Sequence, residues 1–313
     1  MVASIVVLCG GVGAARFLEG VVRAVDPATV TAIVNVADDA EFHGLHVSPD
    51  IDTVLYTLAG VVDPVHGWGV RDDTHVVQDA LARLGRDIWF QLGDRDLATH
   101  LHRTALLREG VPLSEITARI ARSLGVRVHV APSSDERQAT MVRTDDGWLA
   151  FQDYFVRRRQ RDTVREVRFD GAATAARGVL EAIADASVVL VAPSNPIVSI
   201  GPILAVKGVR DALSRTRAPI VAVSPIIGGE ALKGPAAAML ASLGHEVSPV
   251  GVARLYSDFL DVMVIDERDA ALVAQVESSG ARAVVAPTIM IDLAAKERLA
   301  RIALDAAGAP ARA

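Results

Sequence analysis

The stretch Ser4-Ile-Val-Val-Leu-Cys-Gly-Gly-Val-Gly-Ala-Ala-Arg-Phe-Leu-Glu-Gly-Val-Val-Arg-Ala24 decides the fold. Ser4 to Leu8 is a short β-branched apolar run, Cys9-Gly10-Gly11-Val12-Gly13 interrupts it with small residues, and Ala14 to Ala24 has helical composition. Strand, glycine loop and helix in that order open a βαβ unit. A second strand over Val30 to Val36 follows the break at Asp26-Pro27 and runs into the acidic pair Asp38-Asp39, so the chain begins as a parallel sheet joined by crossovers.

Residues 50–125 read as helices separated by Gly and Pro: Asp52 to Leu58, Val76 to Leu84, Asp96 to Arg108 and Ser114 to Leu124, with no clear strand among them. An insertion of that length exceeds an ordinary crossover, so it is expected to pack beside the sheet as a helical cap bordering a cleft. Strand character resumes at Val126 to Val130, and Ala139 to Arg143 with Trp148 to Gln152 forms a hairpin around Asp145-Asp146-Gly147. The near-continuous apolar runs Ser187 to Ala192 and Pro219 to Ser224 suit strands covered on both faces. Met263 to Ile265 and Ala283 to Ala286 are further strands, and Asp292 to Ala307 closes the chain as a helix. The expected architecture is α/β: a doubly wound, mostly parallel, Rossmann-like sheet. Residues 1–49 and 126–313 supply this nucleotide-binding core, small β-hairpin included, and residues 50–125 the helical cap insertion.

Composition removes several function classes. The 313 residues are 51% hydrophobic and 22% charged, which suits a folded chain rather than a disordered one. Aromatics are 4%, so the apolar mass is aliphatic and an aromatic platform for single-stranded nucleic acid is not expected. A net charge of −6 lacks the broad basic footprint of a nucleic-acid binder. The single cysteine, Cys9, cannot form an internal disulfide, and no apolar run reaches the roughly 18 to 20 residues that span a bilayer. A cytoplasmic location away from membranes is the expectation.

Ligands of a doubly wound sheet lie beyond the carboxyl ends of the strands. Four unusual turns fall at such ends: the glycine loop, the acidic segment after the second strand, Ser194-Asn195-Pro196, and Ser224-Pro225 with Gly228-Gly229. The glycine loop allows close approach of a phosphate, but no Lys-Ser/Thr follows it as in a Walker A loop, and Arg16 stands where a dinucleotide fingerprint has its last glycine. A loop that simply needs small residues is the bland alternative. Asp38, Asp39, Asp50 and Asp52 bring carboxylates toward a phosphate site, which points to a divalent metal, magnesium being the hard-oxygen choice. Helix capping competes with that reading for Asp50 and, more strongly, for Asp52. In Leu92-Gly-Asp-Arg-Asp-Leu-Ala-Thr-His100, Arg95 suits an anion or a carbonyl-rich heterocycle, Asp96 a cap, and His100 a general acid or base; a solvated helix end accounts for the same residues. The run Arg157-Arg158-Arg159 with Arg161 suits a solvated cationic face.

With these segments placed, the chain resembles the 2-phospho-L-lactate transferase family, the CofD and FbiA proteins of coenzyme F420 biosynthesis. The resemblance runs through Gly10-Gly-Val-Gly13, Asn35-Val-Ala-Asp-Asp39, His43-Gly44, Ser48-Pro-Asp-Ile-Asp-Thr-Val-Leu-Tyr56, Trp68-Gly69 and Leu92 to His100. It continues through Ser134-Asp-Glu136, Phe151-Gln-Asp153, Ala192-Pro-Ser-Asn-Pro196, Ser199-Ile-Gly-Pro202, Ser224-Pro-Ile-Ile-Gly228 and Asp258-Phe-Leu-Asp261. It implies that the terminal ribityl hydroxyl of the deazaflavin FO attacks the phosphate of a three-carbon acid joined through a diphosphate to guanosine, releasing GMP. The acid is phosphoenolpyruvate or 2-phospho-L-lactate, with Leu92 to Leu101 and Ile203-Leu204 closer to the enolpyruvyl branch.

By position, the resemblance makes Asp50 and Arg95 the FO contacts, Asp50 also the catalytic group at the hydroxyl, and Asp38 and Asp39 the magnesium ligands. Gly11, Gly13, Ser194, Asn195 and Ser224 would meet the guanosine diphosphate. It further implies a homodimer and a guanylyltransferase that supplies the labile donor. The competing reading is a non-enzymatic regulator of the same superfamily that binds sugar nucleotides, which would not be expected to carry Pro49-Asp50 and the Leu92 to His100 block.

Overall fold

The computed structural model of the chain describes residues 4–231 and 234–308. Its main sheet has seven strands: β1 (Ile5–Cys9), β2 (Val30–Val34), β3 (His129–Pro132), β4 (Val188–Val191), β5 (Ile220–Val223), β6 (Val262–Asp266) and β7 (Arg282–Ala286). They lie in the order β7-β6-β5-β4-β1-β2-β3, every neighbouring pair parallel. From β1 the chain winds through β2 to β3 at one edge, then returns to the other side of β1 and winds through β4 to β7. The topological switch point therefore lies between the carboxyl ends of β1 and β4, where a doubly wound sheet opens a crevice.

Alternation along the strands distributes the core. Ile5, Val7 and Cys9 face one layer, and Val6 and Leu8 face the other, so β1 is buried on both sides and reads as an unbroken apolar run. The first layer holds helix α1 (Gly11–Ala24), α2 (Pro49–Leu58), α5 (Leu113–Ser123) and the C-terminal helix Leu293–Gly308. Ala14, Phe17, Leu18 and Val21 form the buried stripe of α1 at helical spacing. The second layer is built from short helices between residues 179 and 255.

The expected cap divides in two. Ile51, Val54 and Leu55 of α2 and Ile116 and Ile120 of α5 belong to the same core as α1, so both helices are part of the main layer. Helix α3 (Val76–Arg83) and the intervening loops stand outside it, and α4 (Asp94–Arg108) meets it through Leu106 and Leu107 near its end; an antiparallel hairpin, Ala40–Phe42 with Leu45–Val47, also lies outside, where no strand was expected so close to α2. The strand expected from Val126 begins three residues later, because the Val126 amide is still closing the end of α5 on the Ala121 carbonyl at 2.9 Å. The expected hairpin is a three-stranded antiparallel sheet in the order Gly147–Ala150, Ala139–Thr144, Glu166–Asp170. Its third strand alternates charged with apolar residues, the pattern of an edge with one wet face. No helix among the described residues is long and apolar enough to cross a membrane.

Phe17 is fully buried where α1 crosses the sheet. Phe17→Ala is expected to lower the unfolding free energy by about 3 to 5 kcal/mol, and Val65→Ser on the exposed loop by less than about 0.5 kcal/mol, in urea denaturation. Equal effects would contradict this layer assignment.

Candidate active site

The glycine loop turns the chain from β1 into α1. Gly11 adopts φ 71°, a left-handed conformation that residues with a side chain avoid, and a Cβ on Gly13 would stand 2.6 Å from the Pro193 carbonyl oxygen. Helix α1 can therefore start hard against the turn that follows β4. Its first turn has neither a capping side chain nor an acidic residue of its own, and its positive end meets the Asp50 carboxylate through the Gly11 amide. The Ser194 hydroxyl donates to the Gly10 carbonyl at 2.8 Å, tying the two turns across the switch point. Asn195 accepts the Ile197 amide at 2.9 Å and caps the turn beyond it. Ser224 lies one strand further out, its hydroxyl exchanging hydrogen bonds with the Ile226 backbone. Gly11, Gly13, Ser194 and Asn195 thus come together, and Ser224 stands beside them at the end of β5.

Beyond β2 the chain gathers three buried carboxylates. The side-chain amide of Asn35, itself wholly buried, donates to Asp38 Oδ2 at 3.1 Å and to Asp50 Oδ2 at 3.0 Å, while its oxygen accepts the Ala37 amide at 2.9 Å. Burial, and then the neighbouring Asp50 charge, push the Asp38 carboxyl well above the usual carboxylate range. Burial raises Asp50 to about 6, against the hydrogen bonds from Asn35 and the Gly11 amide. Asp39 turns the other way, accepting the Ser48 hydroxyl at 2.7 Å and meeting His46 Nε2 at 3.0 Å; burial raises it despite those partners. Among the described residues, Asp38 Oδ1 and Asp39 Oδ1 are buried without a hydrogen-bond partner. Desolvated carboxylates this close together call for a cation or a proton, and an all-oxygen donor set fits magnesium. Ser48, not an aspartate, occupies the cap position of α2, so Asp50 and Asp52 are both free of that role.

Asp38 and Asp50 line the floor of a cavity of about 550 Å³ that also touches Gly11. Its walls carry Trp68, Trp89, Phe90, Phe151 and Phe155, supported by a stacked Phe42–Phe90 pair with centroids 3.9 Å apart. Trp148 and Tyr154 do not line it: Trp148 lies under the Arg168 guanidinium, and Tyr154 packs with Phe151 in a small core that supports the wall. The back of the cavity is a polar network. Arg103 is wholly buried and binds both oxygens of Asp52, and His100, 1% exposed, lies 3.7 Å from Asp52 and 3.2 Å from Asp96. Tyr56 donates to Asp96 at 2.8 Å. Among the described residues Asp52, Asp96 and His100 are close enough to share a metal ion, but Arg103 already supplies the opposite charge. Burial pulls the Arg103 guanidinium down, and Asp52 more than restores it.

Arg95 is not brought to Asp50. Its guanidinium donates to the Arg71 carbonyl at 3.2 Å and lines a separate hollow of about 410 Å³, which shares Tyr56 with the main cavity. Asp96 does not cap α4: the Arg95 and Asp96 amides at its start donate to Asp73 at 2.9 and 3.1 Å, while Asp94 accepts the Val76 and Val77 amides at 3.0 Å at the start of α3. Two residues central to the site, Asn35 and Arg103, lacked an assigned role in the sequence. The signal for Arg103 was its place on one helical face with Asp96 and His100; Asn35 was marked only by standing at a strand end beside the acidic pair.

With this geometry in view, comparison with known proteins is informative. Residues 5–302 match the family model for 2-phospho-L-lactate transferase CofD. The chain is 43% identical to a phosphoenolpyruvate transferase of Streptomyces griseus over 97% of this chain and 98% of that one. It is 41% identical to a 2-phospho-L-lactate transferase of Methanothermobacter thermautotrophicus, over 96% and 97% respectively. A solved structure of a UPF0052 family protein from Bacillus halodurans has the same fold, with a TM-score of 0.67 at 16% identity over 96% of this chain and 99% of that one. A match over nearly the whole length, with transferase relatives of equal length, is decisive: the chain belongs to the CofD family of transferases.

Proposed function

We propose that the protein transfers a phosphoenolpyruvyl or 2-phospho-L-lactyl group from its guanosine-diphospho form to the terminal ribityl hydroxyl of the deazaflavin FO. One observation carries the reading: the aromatic-walled cavity ends on Asp50, beside the N-terminus of α1 at the switch point. A planar tricyclic acceptor suits the aromatic walls, and its ribityl chain reaches toward Asp50. The guanosine diphosphate suits the turns formed by Gly11, Gly13, Ser194, Asn195 and Ser224. Asp50 takes the hydroxyl proton as the oxygen attacks the phosphorus bearing the three-carbon acid; the bridging P–O bond breaks and GMP departs with its electron pair. Asp38, with Asp39 and Asp50 alongside, is suited to hold magnesium, which when bound neutralises diphosphate charge. Asn35 keeps the Asp50 carboxylate aimed, and the aromatic walls exclude water that would compete with the hydroxyl. Such a donor calls for a guanylyltransferase upstream.

The reading is tested by incubating the protein with FO, magnesium and each freshly made donor, and weighing FO by mass spectrometry. A gain of the phospho-acid mass with release of GMP is expected from at least one donor; unchanged FO with both donors would overturn the reading.

Asp50→Asn is expected to lower turnover by about a hundredfold to ten-thousandfold, the range for losing a general base. Its effect on stability should have the opposite sign. Asp50 binds its proton more tightly in the folded chain, at about 6, than at the ordinary value of 3.8. Its contribution is therefore complete below pH 3.8 and is lost as pH rises through about 6. In chelator at pH 8, Asp50→Asn should raise the melting temperature, and the gain should vanish near pH 4; a lower melting temperature at pH 8 would contradict the strain assigned to this carboxylate. Arg103→Leu should cost about 3 to 5 kcal/mol by stranding Asp52, with most of it recovered when Asp52→Leu is added; additive losses would contradict the pairing.

A further inference from the structure

We propose that Arg159 receives the carboxylate of the three-carbon acid carried by the donor, an inference that rests on the transferase reading above. Arg157, Arg158, Arg159 and Arg161 form one basic run, yet the structure separates them. Arg157 is held by Asp87 at 2.8 Å and lies over the Trp89 ring. Arg158 is held by Asp146 at 2.7 Å and Asp162 at 3.2 Å. Arg159 alone of the run lines the main cavity, and among the described residues no ion pair or hydrogen bond engages its side chain.

Its backbone supplies a second observation. Arg159 and Gln160 have φ 54° and 57°, a left-handed conformation that side-chain-bearing residues adopt at a cost. The surroundings impose it. The Arg158 amide donates to the Asp153 carbonyl at 2.8 Å and the Gln160 amide to the Tyr154 carbonyl at 3.0 Å. Tyr154 is itself anchored in a buried cluster with Val142, Phe151 and Val164. Two consecutive strained residues, fixed by a packed turn, set an unpaired guanidinium on the cavity wall.

Electrostatics supplies the third. The cavity lining includes Asp38, Asp50, Asp52 and Asp96, and Arg159 is the one lysine or arginine among its lining residues. Arg103 answers for Asp52 from behind. The donor brings two kinds of anion. Its diphosphate is served by the glycine loop and the start of α1, but its carboxylate would project among carboxylates unless a cation met it. A guanidinium matches a carboxylate with two parallel hydrogen bonds, which a point charge cannot do.

Steady-state kinetics of Arg159→Asn and Arg159→Lys test the assignment. Asparagine tolerates a left-handed backbone, so the turn is kept. Arg159→Asn should raise the donor KM about tenfold to a hundredfold, as expected for losing a charge-assisted pair, while the FO KM stays unchanged. Arg159→Lys should recover part of the loss. GDP, which has the diphosphate but no carboxylate, should inhibit wild type and Arg159→Asn with the same Ki. An unchanged donor KM would overturn the proposal, and so would a GDP Ki that rises in step with the donor KM, since that places Arg159 on the diphosphate. Absence of product from the wild-type protein would instead remove the transferase reading itself, before any variant is made.

Discussion

One buried side-chain amide holds two carboxylates together: Asn35 donates to both Asp38 and Asp50, at the point where β2 leaves the sheet. The arrangement is held by backbone on every side. The Asn35 amide nitrogen bonds to the Cys9 carbonyl at 3.0 Å, continuing the β1–β2 ladder, and Asp50 sits in the first turn of α2, whose apolar side is locked into the main core. The carboxylates cannot separate without breaking the sheet or lifting a helix. Their mutual repulsion is thus stored in the fold, and a ligand that brings positive charge or a proton relieves it.

The same chain shows how a closed solution looks. Asp52, two residues after Asp50 and equally buried, is met by Arg103 from α4, with His100 and Tyr56 completing the network. That half of the acidic cluster is internally balanced and braces α2 against α4. Among the described residues Asp38 and Asp50 have no such cation, and both line the cavity together with Gly11. The contrast explains why chemistry belongs at one end of α2 and scaffolding at the other, although the residue types are identical.

Much of this was legible in the sequence because it is local. A β-branched run, a glycine loop and a helix can only start a wound sheet, and the polar turns after β1, β2, β4 and β5 fall at equivalent ends of parallel strands. What was not legible depends on tertiary placement. Arg95 and Asp96 are adjacent in sequence, but adjacent helical residues diverge by about 100°, so one faces a neighbouring hollow and the other the main cavity. Arg103 meets Asp52 across 51 residues of chain, a pairing that no local pattern encodes. Residues 50–125 read uniformly as helices, and only packing distinguishes α2 and α5, whose buried faces belong to the main core, from α3, which lies outside it, and α4, which reaches it near its end. Four arginines in a short run likewise read alike, until their partners and the left-handed turn distinguish Arg159.

The account rests on Asp50 being the place where acceptor and donor meet. A crystal structure of the protein with FO and GDP tests that most directly. It should show the deazaflavin ring between the aromatic walls, the diphosphate at the start of α1, and the terminal ribityl hydroxyl within hydrogen-bond reach of Asp50, about 2.6 to 3.2 Å. FO seated in the hollow beside Arg95, with its hydroxyl remote from Asp50, would contradict the account.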